Sequence, residues 1–296
     1  MDLRAFTWAA LSAYTHVVNS VSGGSPLTLE QTRALLGQPG LQPERNLFLA
    51  HEGQTVVGSL LVVPEPLIHR AILELGVLPE HRRKGIGAAL LEKGVAHSRT
   101  LRARHVNASC HPGNVAATAL LRSHHFREVR RQWLLRSTAA VPPPLALPPG
   151  HTLRSLSEQD LHAFTHLQNR SFEASWGYHP NTPEEQAYRV RLDGGAFADV
   201  VALFAGETPV SFCWTRLRRE GTERLGIIWM IGTNPDVRAK GLARAVLVEG
   251  LRRLHAQGAT TFELAVYADN PAAIKLYESV GFRRQREIVW WEKSLA

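Results

Sequence analysis

Cysteine is almost missing from this chain: Cys110 and Cys213 are the only two in 296 residues. That excludes a disulfide framework and makes a reducing compartment the expectation. Lysine is scarce too. Lys84, Lys93, Lys240, Lys275 and Lys293 are the whole supply, so the net charge of +8 rests on arginine. The lysines are scattered, and no aromatic residues interleave with a basic run. An anionic ligand, a nucleic acid or plain compositional bias would each give such a charge, and the scatter makes nucleic acid the weakest of the three. No apolar run approaches the ~20 residues of a membrane span. The opening residues, Met1 to Trp8, lack the basic start and long apolar core of a signal peptide. A cytoplasmic protein is expected, monomeric or homodimeric, with no membrane partner and no metal.

What is present is ordinary globular composition, 44% hydrophobic and 20% charged, and a repeat. Gly232, Pro235, Arg238, Lys240, Gly241 and Gly250 follow Gly76, Pro79, Arg82, Lys84, Gly85 and Gly94 at a constant offset of 156 residues. Asn270, Ala272, Ala273, Phe282 and Arg283 follow Asn114, Ala116, Ala117, Phe126 and Arg127 at the same offset. A constant offset over some fifty residues means that one fold is written twice. Each copy, of roughly 140 residues, is large enough for its own core.

Hydrophobic periodicity predicts, in the first half, helices over 5–18 and Thr28–Leu36, a hairpin of 46–50 and 55–63, and a strand over 71–77. A helix over 85–98, a strand over 103–109, a helix over 114–123 and a strand over 126–136 complete it. Residues 137–150 contain Pro142-Pro-Pro144 and Pro148-Pro149 and read as a stiff linker. The second half repeats the order: strand 152–155, helix 157–169, a polar and aromatic loop over 173–180, and a helix from Thr182. Then come a hairpin of 200–204 and 209–216, strand 225–233, helix 241–257, strand 261–267, helix 271–280 and a final strand. The domains expected are 1–136 and 151–296.

In both copies an apolar strand meets a basic, glycine-containing turn that opens a helix. The unpaired N–H groups of such a turn and of the helix start, with the helix dipole behind them, hold phosphate.

Three stretches carry a resemblance: Arg-x-x-Gly-x-Gly at Arg82, Gly85 and Gly87; Arg-x-x-Gly-x-Ala at Arg238, Gly241 and Ala243; and the run from Asn270 to Phe282 with Tyr277. They resemble the GNAT (Gcn5-related) N-acetyltransferase family in tandem, and among its members the mycothiol synthase-like two-domain ones. The resemblance implies an α/β (α+β) fold of two domains, each a mixed, mostly antiparallel sheet flanked by helices. It also implies a splayed cleft for acetyl-CoA. Implied cofactor contacts in the second half are the backbone of Ile231, Gly232 and Thr233, the turn Arg238, Ala239, Lys240, Gly241, Leu242, Ala243 and Arg244, and Asn270. Those in the first half are Leu75, Gly76, Val77, Arg82, Arg83, Lys84, Gly85, Ile86, Gly87 and Ala88.

Tyr277 is the implied acid for the departing thiolate. The first half has Leu121 at that position and so reads as a CoA binder that does not turn over, although Glu74 is a candidate base there. The second half has Met230 in place of Glu74, and Ile227 where the mycothiol synthase-like members tend to carry an acid. Glu223, Glu263, the loop from Glu173 to His179 and a water-mediated route all stay open for the base. A small-molecule primary amine is the expected acceptor, met by Glu173, Trp176, Tyr178, His179 and Trp214. A protein or peptide acceptor, or a CoA-binding regulator without turnover, is the alternative.

Overall fold

A computed structural model describes residues 1–22, 25–138, 144–145, 147–220, 223–238 and 240–295. In the first half β1 (Asp2–Ala5) leads through a short 3-10 turn into α1 (Leu11–Val21). The helix expected from residue 5 therefore starts later, because Asp2–Ala5 pair with Phe48–His51, and sheet pairing overrides a local helical spacing. Helix α2 (Leu29–Leu36) begins at Thr28, whose hydroxyl accepts the Gln31 N–H at 3.1 Å while the Gln31 side chain accepts the Thr28 N–H at 2.9 Å. After the single turn α3 (Pro43–Asn46) come the hairpin β2 (Leu47–Glu52) and β3 (Thr55–Glu65), then β4 (Arg70–Val77) and α4 (Ile86–Thr100). Strand β5 (His105–Cys110), α5 (Val115–Ser123) and β6 (Arg127–Ser137) follow.

The second half runs β7 (Thr152–Ser155), α6 (Leu161–Phe172), α7 (Pro183–Arg191), β8 (Val200–Ala205), β9 (Thr208–Glu220) and β10 (Glu223–Thr233). Then come α8 (Leu242–Ala256), β11 (Thr261–Tyr267), α9 (Pro271–Glu278) and β12 (Arg283–Ser294). Thr182 caps α7 with the same reciprocal pair, here with Glu185. Among the described residues no helix is long and apolar enough to cross a membrane.

Two compact units are present, but their edges differ from the boundaries expected at 136 and 151. One is Met1–Arg130 with Ile288–Ala296; the other is Arg131–Glu287. Each half of the sequence closes its partner's sheet. In the first unit the strand order is β1-β2-β3-β4-β5-β12, with Val289 opposite Cys110 and Ser294 opposite His105. In the second it is β7-β8-β9-β10-β11-β6, with Phe262 opposite Ser137 and Tyr267 opposite Gln132. Among the described strand pairs, only β4–β5 and β10–β11 are parallel. The exchange is invisible in the sequence because alternation specifies that one face of a strand is buried, not which sheet buries it. In the expected linker, residues 139–143 and 146 lie outside the described ones, and Leu145 packs on the core of the second unit.

Each sheet is covered on both faces. In the first unit α4 sets Ile86, Leu90 and Leu91 against Leu60, Val62 and Leu73, with Val289 and Trp291 of β12 completing the cluster. Tyr14 of α1 and Leu36 of α2 cover Leu47, Leu49 and Leu61 on the other face. In the second unit α8 packs Leu242, Val246 and Leu247 onto one face, and α6 packs Phe164 and Leu167 onto Phe212 and Trp214 on the other.

Candidate active site

The turns after β4 and β10 show how a few residues make an anion cradle. Gly85 caps α4 at φ 80° and Gly241 caps α8 at φ 77°, left-handed values that glycine adopts without strain. The first bonds inside the helices run from Ala89 N–H to Gly85 O and from Ala245 N–H to Gly241 O, both 3.1 Å. The N–H groups of Ile86, Gly87 and Ala88, and of Leu242, Ala243 and Arg244, therefore precede any helical acceptor. A glycine cap has no side chain to occupy them, so they suit a phosphate.

The basic side chains of these turns are more engaged than the sequence implied. Lys84 Nζ lies 3.4 Å from Glu52, which also pairs with His81 Nδ1 at 2.9 Å. Arg82 donates to the Val77 carbonyl at 3.0 Å, and Arg238 to the Ser171 carbonyl at 3.0 Å. These groups brace the turn. Arg83 takes a left-handed backbone, φ 65°; Lys240 and Arg244 are exposed; Ala239 lies outside the described residues.

Each parallel strand pair opens into a wedge. Pairing of β4 with β5 ends at Leu73 and Ala108, although β4 runs on to Val77 and β5 to Cys110. Pairing of β10 with β11 ends at Ile228 and Leu264, although the strands continue to Thr233 and Tyr267. Leu75–Val77 and Ile231–Thr233 thus form a free backbone edge leading from the phosphate turn back to the wedge vertex. In the second unit a bulge at Trp229 helps to turn the strand away. Gly76 and Gly232 are needed here for closeness. A Cβ on Gly76 would lie 2.5 Å from Val21 of α1, and one on Gly232 would lie 2.5 Å from Phe212 and 2.9 Å from Ser171 of α6.

In the first unit the wedge and turn enclose a cavity of about 730 Å³ that Leu75–Val77, Arg82, Arg83, Gly85–Ala88 and Asn114 line. Its size suits an organic cofactor. Glu74 lines it as well; solvent reaches the side chain, yet surrounding protein raises its carboxyl above the usual range. The Tyr14 phenol is raised by burial first and by the nearby Glu74 charge second. Leu121, buried, faces the same cavity, so no phenol replaces it there.

In the second unit Tyr277 is 5% exposed, within the cluster under α8, its ring 6.3 Å from that of Phe282. Burial, and to a lesser degree Cys213, raises its phenol and keeps it protonated. Burial also pushes the Cys213 thiol up to about 12. Asn270 and Asn114 cap α9 and α5, each accepting an N–H at 3.1 Å.

The loop after α6 is pinned by a feature that sequence reading missed. Asn169 donates to the Asn181 carbonyl and accepts the Asn181 N–H, both at 2.9 Å; Asn19 does the same to Leu27 at 2.9 and 2.8 Å. The signal was an asparagine near the end of the first helix in both halves. Within the loop Glu173 pairs with Arg170 at 2.6 Å, and Trp176 meets Tyr267 edge to face at 5.9 Å. Burial, then the Glu173 charge, raises the Tyr178 phenol; His179 is half-buried. Trp214, expected as a wall of the acceptor pocket, is 1% exposed inside an aromatic core with Phe164 and Phe212. The exposed indole beside it is Trp229, 51% exposed, which sequence reading did not single out. Among the described residues no group of three or more His, Cys, Asp or Glu is placed to hold a metal ion.

The sequence profile of the Acetyltransferase (GNAT) family matches residues 19–126 and again 161–282. A mycothiol acetyltransferase from Saccharopolyspora erythraea is 32% identical over 72% of this chain and 73% of its own. One from Streptomyces coelicolor is 31% identical over 88% and 83% respectively. In fold, the chain is similar to a GCN5-related N-acetyltransferase from Sphaerobacter thermophilus, with TM-score 0.77 and 20% identity over 99% of this chain and 95% of that one. It is also similar to a tandem GNAT protein from the clavulanic acid biosynthesis pathway, with TM-score 0.76 and 15% identity over 100% and 98%. A twice-matched profile and relatives above 30% identity along most of their length have one meaning: the chain is an N-acetyltransferase and belongs to the GNAT family.

Proposed function

We propose that the second unit moves an acetyl group from acetyl-CoA to the primary amine of a small molecule, and that the first unit binds CoA without turning over. The observation that carries this reading is the Tyr277 phenol, buried in the cluster under α8 and kept in its acid form by burial, set against Leu121 in the first unit. Acetyl-CoA, when bound, supplies a thioester carbon and a thiolate leaving group. The chain supplies position and proton. The free N–H groups of Leu242, Ala243 and Arg244 bind diphosphate, and the open edge Ile231–Thr233 orients the pantetheine arm as an added strand would. An N–H of that edge steadies the carbonyl oxygen as charge develops on it. Tyr277 gives its proton to the sulfur. Attack is direct, with no acyl-enzyme, since the buried Cys213 is held as a thiol.

A small acceptor is favoured by the relatives' activity and by the pinned loop that brings Trp176 onto Tyr267. The test is thiol release from acetyl-CoA across glucosamine, spermidine, free amino acids and short peptides. Release with a small amine supports the reading; release with peptides alone overturns it.

Binding in the first unit has its own reporter. Cys110 lines that cavity and is partly exposed, whereas Cys213 is fully buried. A thiol reagent is expected to label Cys110 and spare Cys213 in the native protein, and CoA is expected to slow that labelling about tenfold or more. Unchanged labelling at saturating CoA would show that the first cavity does not hold it.

A further inference from the structure

The strand β10 carries no carboxylate near its wedge, so the group that takes the acceptor's proton must come from elsewhere. The sheet register supplies one. Ile227 stands level with Glu263 on β11 and with Arg216 on β9, and Glu263 stands level with Arg136 on β6. Side chains level with one another in a sheet share a face. Arg216, Ile227, Glu263 and Arg136 thus form one row, a single residue before the wedge vertex at Ile228 and Leu264. The intervening residues Phe262 and Leu264 point the other way, into the core under α8. Glu263 therefore lies on the face opposite α8, the face that the Trp176 loop meets at Tyr267.

The two arginines of the row differ. Arg216 is tied to Asp199 at 3.2 Å and to the carbonyls of Arg189 and Val190, so it does not reach for Glu263. Arg136 donates to Glu263 Oε2 from Nε at 3.3 Å and from Nη2 at 3.0 Å. Both bonds fall on one oxygen, which leaves Oε1 outside that pair. The Glu263 side chain is 17% exposed. Beside it the face is open, since Ala265 is exposed and Trp229 is 51% exposed. No charged residue of β10 shares this level, because its member of the row is Ile227.

We propose that Glu263 is the base for the acceptor amine, and that Arg136 is a positioning residue. This rests on catalysis residing in the second unit. The arrangement has a consequence for the repeat: Arg136 belongs to the last strand of the first half, so the exchanged strand orients the base of the second half's site. The carboxylate of Glu263, directly or through one water, takes a proton from the acceptor ammonium. The freed nitrogen lone pair forms the C–N bond to the thioester carbon, and the C–S electron pair leaves with sulfur. The thiolate takes the Tyr277 proton, and the second proton lost by nitrogen returns to the tyrosine. Glu263 then releases its proton to solvent. One ammonium and one thioester become one amide, one thiol and one proton.

The test measures N-acetyl product formation in the full chain, with glucosamine as probe amine and also with the fastest amine of the panel above. Glu263→Gln and Glu263→Ala are expected to lower kcat by about 100-fold and to leave the KM for acetyl-CoA within about twofold. Glu263→Asp should keep part of the rate, and added formate should restore part of it to Glu263→Ala, which a merely structural role would not do. Where Glu263→Gln lowers the melting temperature, the double variant Glu263→Gln/Arg136→Gln removes the unpaired guanidinium; it should fold and remain slow. A kcat within threefold of wild type in Glu263→Gln, no formate rescue, or a double variant with full turnover overturns the assignment. Gly241→Glu separates the two failures. If it leaves turnover intact, catalysis is not in the second unit at all; if it abolishes turnover while Glu263→Ala does not, only the base is misassigned.

Discussion

Deletion of Ile288–Ala296 is expected to unfold the unit built on the first half of the chain and to spare the one built on the second. The deletion takes away Val289 and Trp291, 2% and 4% exposed in the cluster beneath α4. A single large-to-alanine change in a core costs about 3–5 kcal/mol for an aromatic, and a domain holds only about 5–15 kcal/mol in total. The deletion also leaves β5 as an unpaired edge, with the N–H and C=O groups that now meet Val289–Ser294 exposed. It further removes the Lys293 bond to the His124 carbonyl at 2.8 Å. Hydrogen exchange is the measurement. Amides of α4 and β5 should lose protection, while those of α8 and β11, whose sheet keeps β6, should retain it. Undiminished protection in α4 would mean that β12 is not part of that sheet in solution.

Tyr277→Phe is expected to lower kcat by about 100-fold, the usual scale for a lost general acid, with the KM for acetyl-CoA little changed. The ring's packing against Phe282 survives the change, so the melting temperature should move by only a few degrees. The pH profile gives a second reading. Burial raises the phenol above its ordinary value of 10.0. The acid form is therefore complete at neutral pH, and its loss begins only above that value. An alkaline fall in rate below about pH 9 would point to another group. Equal kcat in Tyr277→Phe and wild type would remove the phenol from the mechanism.

Much of this was legible in the sequence, for reasons that can be stated. The turns were readable because Gly85 and Gly241 occupy a backbone conformation that few other residues accept, and because helix starts repeat their capping chemistry at Thr28 and Thr182. Helix α1 was misplaced at its start since Phe6 continues the helical spacing of Ala9, Ala10, Ala13 and Val17, while the pairing of β1 with β2 is a long-range fact. The exchange of β6 and β12 was hidden for the same reason. Their alternation predicts a buried face and is silent on the partner.

Side-chain roles were less legible than backbone ones. Arg82 and Arg238 read as phosphate ligands, and each also braces its turn through one bond to a carbonyl of its own unit. Trp214 read as a pocket wall, yet it is buried in the core, and the bulge at Trp229 brings a different indole to the surface. Glu263 was one of several carboxylates in the sequence. Only the register across β9, β10, β11 and β6 sets it apart.

The central claim is that catalysis resides in the second unit while both units can hold the cofactor. The most direct measurement is thiol release from acetyl-CoA by Gly241→Glu beside Gly85→Glu. Each change sets a carboxylate and a strained left-handed residue at one phosphate cradle, at a folding cost of about 1 kcal/mol. The account predicts that Gly241→Glu loses nearly all turnover and that Gly85→Glu keeps most of it. Loss in Gly85→Glu with turnover retained in Gly241→Glu would contradict it and move the chemistry to the cavity of Glu74.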